Sequence, residues 1–199
     1  MGLSDKNIIK EIKRGNIIID PFDMEMMNPN SIDLRLDKHY QVVDDLMYVK
    51  KGYLDCRTNN LFEKRIMPDE GLVLQPGKLY IYSCIEKIGV PCNNRTFIDK
   101  ILGKGYIEAE VLGKSSIGRL GLFIHVTAGF IDTGFVGNLV LEMVATHPIK
   151  VYPNQKICQL RFNYVDGDIL ETYDKKKGSK YMNQKGPQSS LMHLNFNQK

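Results

Sequence analysis

The feature that most constrains this chain is its punctuation. From Ser31 onward, short apolar or alternating runs are separated by turn residues at near-even spacing. The strand candidates are Ser31–Leu36, Tyr40–Val43, Leu79–Cys84, Tyr106–Val111, Leu120–Val126, Leu139–Ala145 and Ile157–Phe162. Gln75-Pro76-Gly77-Lys78 and Tyr152-Pro153-Asn154-Gln155 carry tight-turn chemistry, because proline presets one corner and Gly or Asn accepts positive φ at another. Ahead of them, Ser4 can cap a short helix with an Ile8, Ile9, Ile12 stripe, and Gly15 can end it. Residues 16–20 then read as a strand stopped by Pro21, and residues 93–105 read as an inserted loop or short helix. The pattern predicts a mainly β domain, a closed or double-sheet jelly-roll-like barrel with a short N-terminal helix.

A chain of 199 residues, 43% apolar and 25% charged, can bury a full core in one domain without a disulfide framework. Cys56, Cys84, Cys92 and Cys158 form no CxxC pair, which suits reduced thiols and a cytoplasmic protein. No apolar run approaches the roughly 18 residues of a membrane span, and the first residues are charged too early for a signal peptide. The net charge of +4 is local. In residues 174–199, six lysines against Asp174 give +5, which leaves −1 on the first 173 residues. The near-neutral body speaks against a nucleic-acid surface. Residues 1–173 are therefore read as the barrel and 174–199 as a Lys-rich C-terminal lid of the same domain, expected to be mobile until a ligand orders it.

Three stretches can carry chemistry. Gly113-Lys114-Ser115-Ser116-Ile117-Gly118-Arg119 combines two cations, two hydroxyls and flexible backbone, the makings of an anion nest or of a plain polar turn. Ala128-Gly129-Phe130-Ile131-Asp132-Thr133-Gly134-Phe135 is a sharply turning segment in which Asp132 either meets a ligand or bonds its own turn. In Asn138–Ala145, alternation puts Glu142 with Val140 and Val144 on one face and Leu139, Leu141 and Met143 on the other. Both faces are apolar, so Glu142 is expected to be buried, either as a general base or as the partner of an arginine. His39, His125, His147 and His193 form no metal-binding spacing, and the zinc-deaminase signature is missing.

In order, these stretches resemble the dCTP deaminase family of the trimeric dUTPase superfamily. The resemblance is carried by Leu3-Ser4-Asp5-Lys6, Ser31-Ile32-Asp33-Leu34-Arg35-Leu36, the Gly113–Leu122 stretch, His125–Phe135 with Leu141-Glu142, and Tyr173, Lys180, Gln184 and Gly186-Pro187. It implies a distorted jelly-roll β-barrel of the dUTPase type. It also implies a homotrimer with active sites at subunit interfaces, and zinc-independent deamination of dCTP to dUTP and ammonia. Mg²⁺ would ride on the triphosphate. By position, Glu142 would be the proton shuttle, with Ser115 and Arg119 orienting water. Lys114, Ser116, Gln159, Tyr173, Lys180 and Gln184 would bind phosphates or order the tail, within a loop that includes Ile117 and Gly118. Asp132, Val140 and Leu141 would hold sugar and base, with Phe135 supporting the turn.

The sequence departs from that family at Lys114, where arginine is usual, and at Thr133, where proline is usual and whose loss is expected to soften the turn. The alternative to a dUTP-releasing enzyme is a bifunctional one that goes on to dUMP and diphosphate, with Asp132 activating the second water. Val126 after His125 resembles the single-function pattern. A plain dUTPase, a dCMP deaminase and a non-catalytic nucleotide-binding regulator are weaker readings, and either product would supply thymidylate synthesis.

Overall fold

The computed structural model describes residues 1–43, 52–59, 62–92, 95–101, 105–125 and 127–196. It begins with α1 (Asp5–Lys13), capped at an extended Ser4 by backbone geometry and not by the serine hydroxyl. Asp5 in the first turn and Lys10 and Lys13 in the last complement the helix dipole. Gly15 follows at φ +73°, the left-handed position that ends helices. Glu11 is 1% exposed. It accepts hydrogen bonds from Arg14, Asn16 and the Tyr164 hydroxyl, which pins α1 to the barrel. Burial, reinforced by the Glu11 charge, pushes the Tyr164 phenol up to about 12.

The strands are β1 (Ile18–Asp20), β2 (Met27–Asn28), β3 (Ser31–Val43), β4 (Phe62–Ile66), β5 (Leu72–Leu74), β6 (Tyr80–Gly89) and β7 (Tyr106–Gly113). They continue with β8 (Leu122–Phe123), β9 (Phe130–Ile131), β10 (Val136–Ala145), β11 (Ile149–Val151) and β12 (Lys156–Val165). Short helices α2 (Phe97–Ile101) and α3 (Ser115–Gly118) lie on either side of β7. One sheet runs β8-β10-β6-β3-β12-β7-β9, and β11 pairs with β5 in a second. The class is mainly β, as expected. Among the described residues no helix is long and apolar enough to cross a membrane.

Strand β3 turns the sheet on itself. It was expected as two strands and is one, pairing with β12 through Ile32–Arg35 and with β6 and β4 farther along. Its register breaks between Leu36 and Tyr40, so the strand bends from one sheet face to the next. The expected strand Leu120–Val126 shrinks to Leu122–Phe123, because the one-turn helix α3 and a positive φ at Gly121 take up the chain before it. Both predicted turns form, with Gly77 at φ +73° and Asn154 at φ +62°. The core gathers Ile32, Leu34, Leu36, Tyr82, Ile88, Leu141 and Phe162, all at most 1% exposed.

Buried carboxylates paired with an arginine exist, but they are Glu11 on α1 and Glu86 on β6. Glu86 is 1% exposed and accepts from Arg35 Nε at 2.6 Å and from the Arg35 backbone N–H at 2.9 Å. Removing one partner of such a pair strands a charge in low dielectric, at a cost of about 3–5 kcal/mol. Arg35→Met is therefore expected to lower the unfolding free energy by about that much in urea titrations. A loss below about 1 kcal/mol would show that the pair carries no weight in the fold.

Candidate active site

The site is built on β10. Along it buried and half-buried residues alternate: Leu139, Leu141 and Met143 face the core, while Val140, Glu142 and Val144 face outward. The expectation of a buried Glu142 is corrected here. Its side chain is 39% exposed, because its face of β10 opens beside Val140 onto a cavity and is not packed against a second core. Glu142, His125, Asp132, Val140, Tyr173 and Gln184 line this cavity of about 560 Å³, together with Ile81, Leu79, Phe130 and Tyr181.

Nδ1 of His125 lies 2.5 Å from Oε2 of Glu142, with the imidazole 8% exposed. Burial works against a charged imidazole, but the adjacent Glu142 carboxylate and the Ala128 carbonyl outweigh it. The His125 pKa is therefore raised above its ordinary value. The pair brings a carboxylate and a nearby proton donor to one wall.

Asp132 sits at the tip of the turn before β10 and is exposed into the same cavity. Thr133 holds this turn where softening was expected, because its buried hydroxyl donates to the Ile107 carbonyl at 2.8 Å. Gly134 adopts φ +99°, and a Cβ there would lie 2.4 Å from an Asp174 carboxylate oxygen. The lack of a side chain there leaves room for the closing segment, which begins where the Tyr173 N–H donates to the Thr133 carbonyl at 2.8 Å. The Tyr173 ring meets Phe135 edge-on at 5.9 Å, so Phe135 supports the turn as expected. Farther on, the Gln184 side chain donates to the Asn138 carbonyl at 2.7 Å, and Asn138 N–H donates back to the Gln184 carbonyl at 3.0 Å.

The other motif lies elsewhere. Ser115, Ser116 and Arg119 are exposed on and after α3, with Ile117 packed into the core beneath them and Gly118 closing the turn. Lys114 Nζ donates to Asp33 Oδ1 at 2.6 Å, and Lys156 stands 3.8 Å from the other carboxylate oxygen. Gln159 bridges Ser31 and the Gly113 carbonyl beside them. None of Lys114, Ser115, Ser116, Arg119 and Gln159 lines the Glu142 cavity. Leu141 points into the core at 0% exposure, and Lys180 is half-buried outside the cavity lining. The single-function reading leaned on Val126, which lies outside the described residues.

The sequence comparison decides the family. Residues 2–165 match the family model described as dCTP deaminase-like. The chain belongs to the dCTP deaminase-like family. The Clostridium botulinum (strain Eklund 17B) relative named "dCTP deaminase, dUMP-forming" is 43% identical over 196 residues, 98% of this chain and 99% of that protein. A Beutenbergia cavernae relative of the same name is 38% identical over 199 residues, covering 98% of this chain and 97% of its own length. The solved structure of 2'-deoxycytidine 5'-triphosphate deaminase from Agrobacterium tumefaciens superposes with a TM-score of 0.57 at 23% identity. That match covers 81% of this chain and 48% of the other, and it supports the shared dUTPase-like fold.

For a member of this family, the state of His125 is directly measurable. A raised folded-state pKa means that the Glu142 contact adds stability fully present below about pH 6.5, the unfolded value, and lost as pH rises through the raised value. NMR titration of ¹³C-labelled histidine is expected to place His125 above about 6.5, and to show a fall in Glu142→Gln. A His125 value at or below the ordinary one in the parent protein would contradict the pairing.

Proposed function

We propose that this chain hydrolyses dCTP to dUMP, ammonia and diphosphate, consuming one water at the base and one at phosphorus. The observation that carries the reading is the presence of two carboxylates, Glu142 and Asp132, on the wall of one cavity. The names of the relatives support the dUMP end point over release of dUTP.

At the base, Glu142 takes a proton from the water that adds to C4 and returns protons to N3 and to the departing amine. One positioned carboxylate can perform these transfers in sequence without zinc. His125, raised toward its charged form, holds that carboxylate in place. Ser115 and Arg119 orient the water and stabilise the tetrahedral intermediate. Val140, the Leu141 backbone and Asp132 hold base and sugar. In the second step Asp132 activates the water that attacks phosphorus, and diphosphate leaves. Mg²⁺ arrives on the triphosphate as part of the substrate and offsets its charge. The dUMP formed would supply thymidylate synthesis.

The exposed Lys114–Arg119 segment and the Glu142 cavity stand apart within one chain, which supports a homotrimer in which neighbouring chains complete each site. Lys114, Ser116 and Gln159 of one chain then meet the phosphates, with Tyr173, Lys180 and Gln184 of the closing segment ordering over them.

Incubation with dCTP is expected to yield dUMP, diphosphate and ammonia in equal amounts, while Glu142→Gln abolishes ammonia release and retains nucleotide binding. Accumulation of dUTP as the end product would overturn the second step, and undiminished ammonia release by Glu142→Gln would overturn the first. Co-expression of Ser115→Ala and Glu142→Gln chains is expected to restore about a quarter of the parent activity, since that share of randomly assembled interfaces regains both groups. An inactive mixture would contradict the shared site.

A further inference from the structure

Glu142, Ile81 and Gln41 stand in one cross-strand row. Glu142 on β10 faces Ile81 on β6, and Ile81 faces Gln41 on β3. Directly opposed residues of antiparallel strands share a face of the sheet, so all three side chains lie on the cavity side. Glu142 and Ile81 line the cavity, and Gln41 does not. Gln41 is 3% exposed. Its Nε2 donates to the Pro187 carbonyl of the closing segment at 3.0 Å, and its Oε1 is buried with no hydrogen-bond partner.

That arrangement is unusual for a core strand. Neighbouring Tyr40 and Val42 are buried apolar residues, and a buried amide that leaves its oxygen unpaired is normally selected against. Turning the amide over would set its oxygen against the Pro187 carbonyl, so the single donor contact fixes its orientation. What this position gains is its hold on Pro187.

The hold falls where the segment otherwise lacks one. Upstream, Asn183 N–H donates to the Val136 carbonyl and Gln184 exchanges two bonds with Asn138. Downstream, Leu191 N–H donates to the Tyr181 hydroxyl, a bond internal to the segment. Among the described residues, Gln41 makes the one hydrogen bond from the barrel to residues 185–190. Gln188 and Ser190, on the far side of Pro187, belong to the cavity wall.

We infer that Gln41 is a positioning residue: it latches the C-terminal segment at Pro187 and thereby fixes the cavity wall that Gln188 and Ser190 supply. The latch couples closure of the segment to the strand row that carries Glu142. Its kinetic consequence rests on the proposed dCTP reaction, whereas its effect on the segment does not.

Gln41→Met keeps length and removes both donor and unpaired acceptor, and Gln41→Leu is a second apolar replacement should the first fold poorly. Hydrogen exchange of the full-length protein is expected to quicken about fivefold at residues 181–191, with β3 and β6 amides unchanged. The KM for dCTP is expected to rise about tenfold, with kcat within about twofold of the parent. Unchanged exchange at 181–191 would overturn the latch. Faster exchange throughout β3 and β6 would also overturn it, by showing a general structural role. A loosened segment with unchanged KM would overturn its link to the cavity. Full activity in Glu142→Gln would instead defeat the deaminase reading and leave the exchange result to judge the latch.

Discussion

The two-residue period of β10 is the constraint on which the site depends. Leu141 and Met143 are sealed in the core at 0% exposure, and that burial forces Glu142 and Val140 to the opposite face. A slip of one residue would drive the carboxylate into the core and two apolar side chains into the cavity. The register is locked locally. A bulge lies between Asn138 and Val140, and the Asn138 side chain donates to the Cys84 and Ile85 carbonyls of β6 across it. Packing on one face thus positions chemistry on the other.

Electrostatics divides the chain in a complementary way. Among the described residues the charged or titratable groups on the Glu142 cavity wall are two carboxylates, one imidazole and two tyrosines, with no lysine or arginine. Cations gather at the Lys114 corner, where Asp33 holds Lys114 in place. A triphosphate needs that positive charge and a cytosine ring needs the carboxylate. The proposed trimer reconciles the two by setting one chain's corner against its neighbour's cavity.

Much of this was legible in the sequence, because motifs and turns are local. The Gly/Pro/Asn turns, the α3 loop and the Asp132 turn all formed where residue chemistry placed them. Glu142 was found for the right reason, alternation, and given the wrong depth. Val140 and Val144 look like core in a sequence, yet Val140 lines the cavity, and ligand cavities are mostly apolar. Glu86 and Gln41 left no local signal. Their meaning lies in Arg35 and Pro187, 51 and 146 residues away. The closing segment was marked by its lysines, but what fastens it is Tyr173, Gln184 and backbone hydrogen bonds, interactions that composition does not reveal.

The central claim, that each site joins Glu142 of one chain to the Lys114–Arg119 corner of another, is tested most directly by a crystal structure of the Glu142→Gln variant with dCTP and Mg²⁺. The expected result places C4 of the cytosine within reach of residue 142 of one subunit, with Ser115 and Arg119 of its neighbour beside that carbon and the triphosphate on the neighbour's Lys114, Ser116 and Gln159. A nucleotide held entirely by one chain, or a base seated away from residue 142, would contradict it.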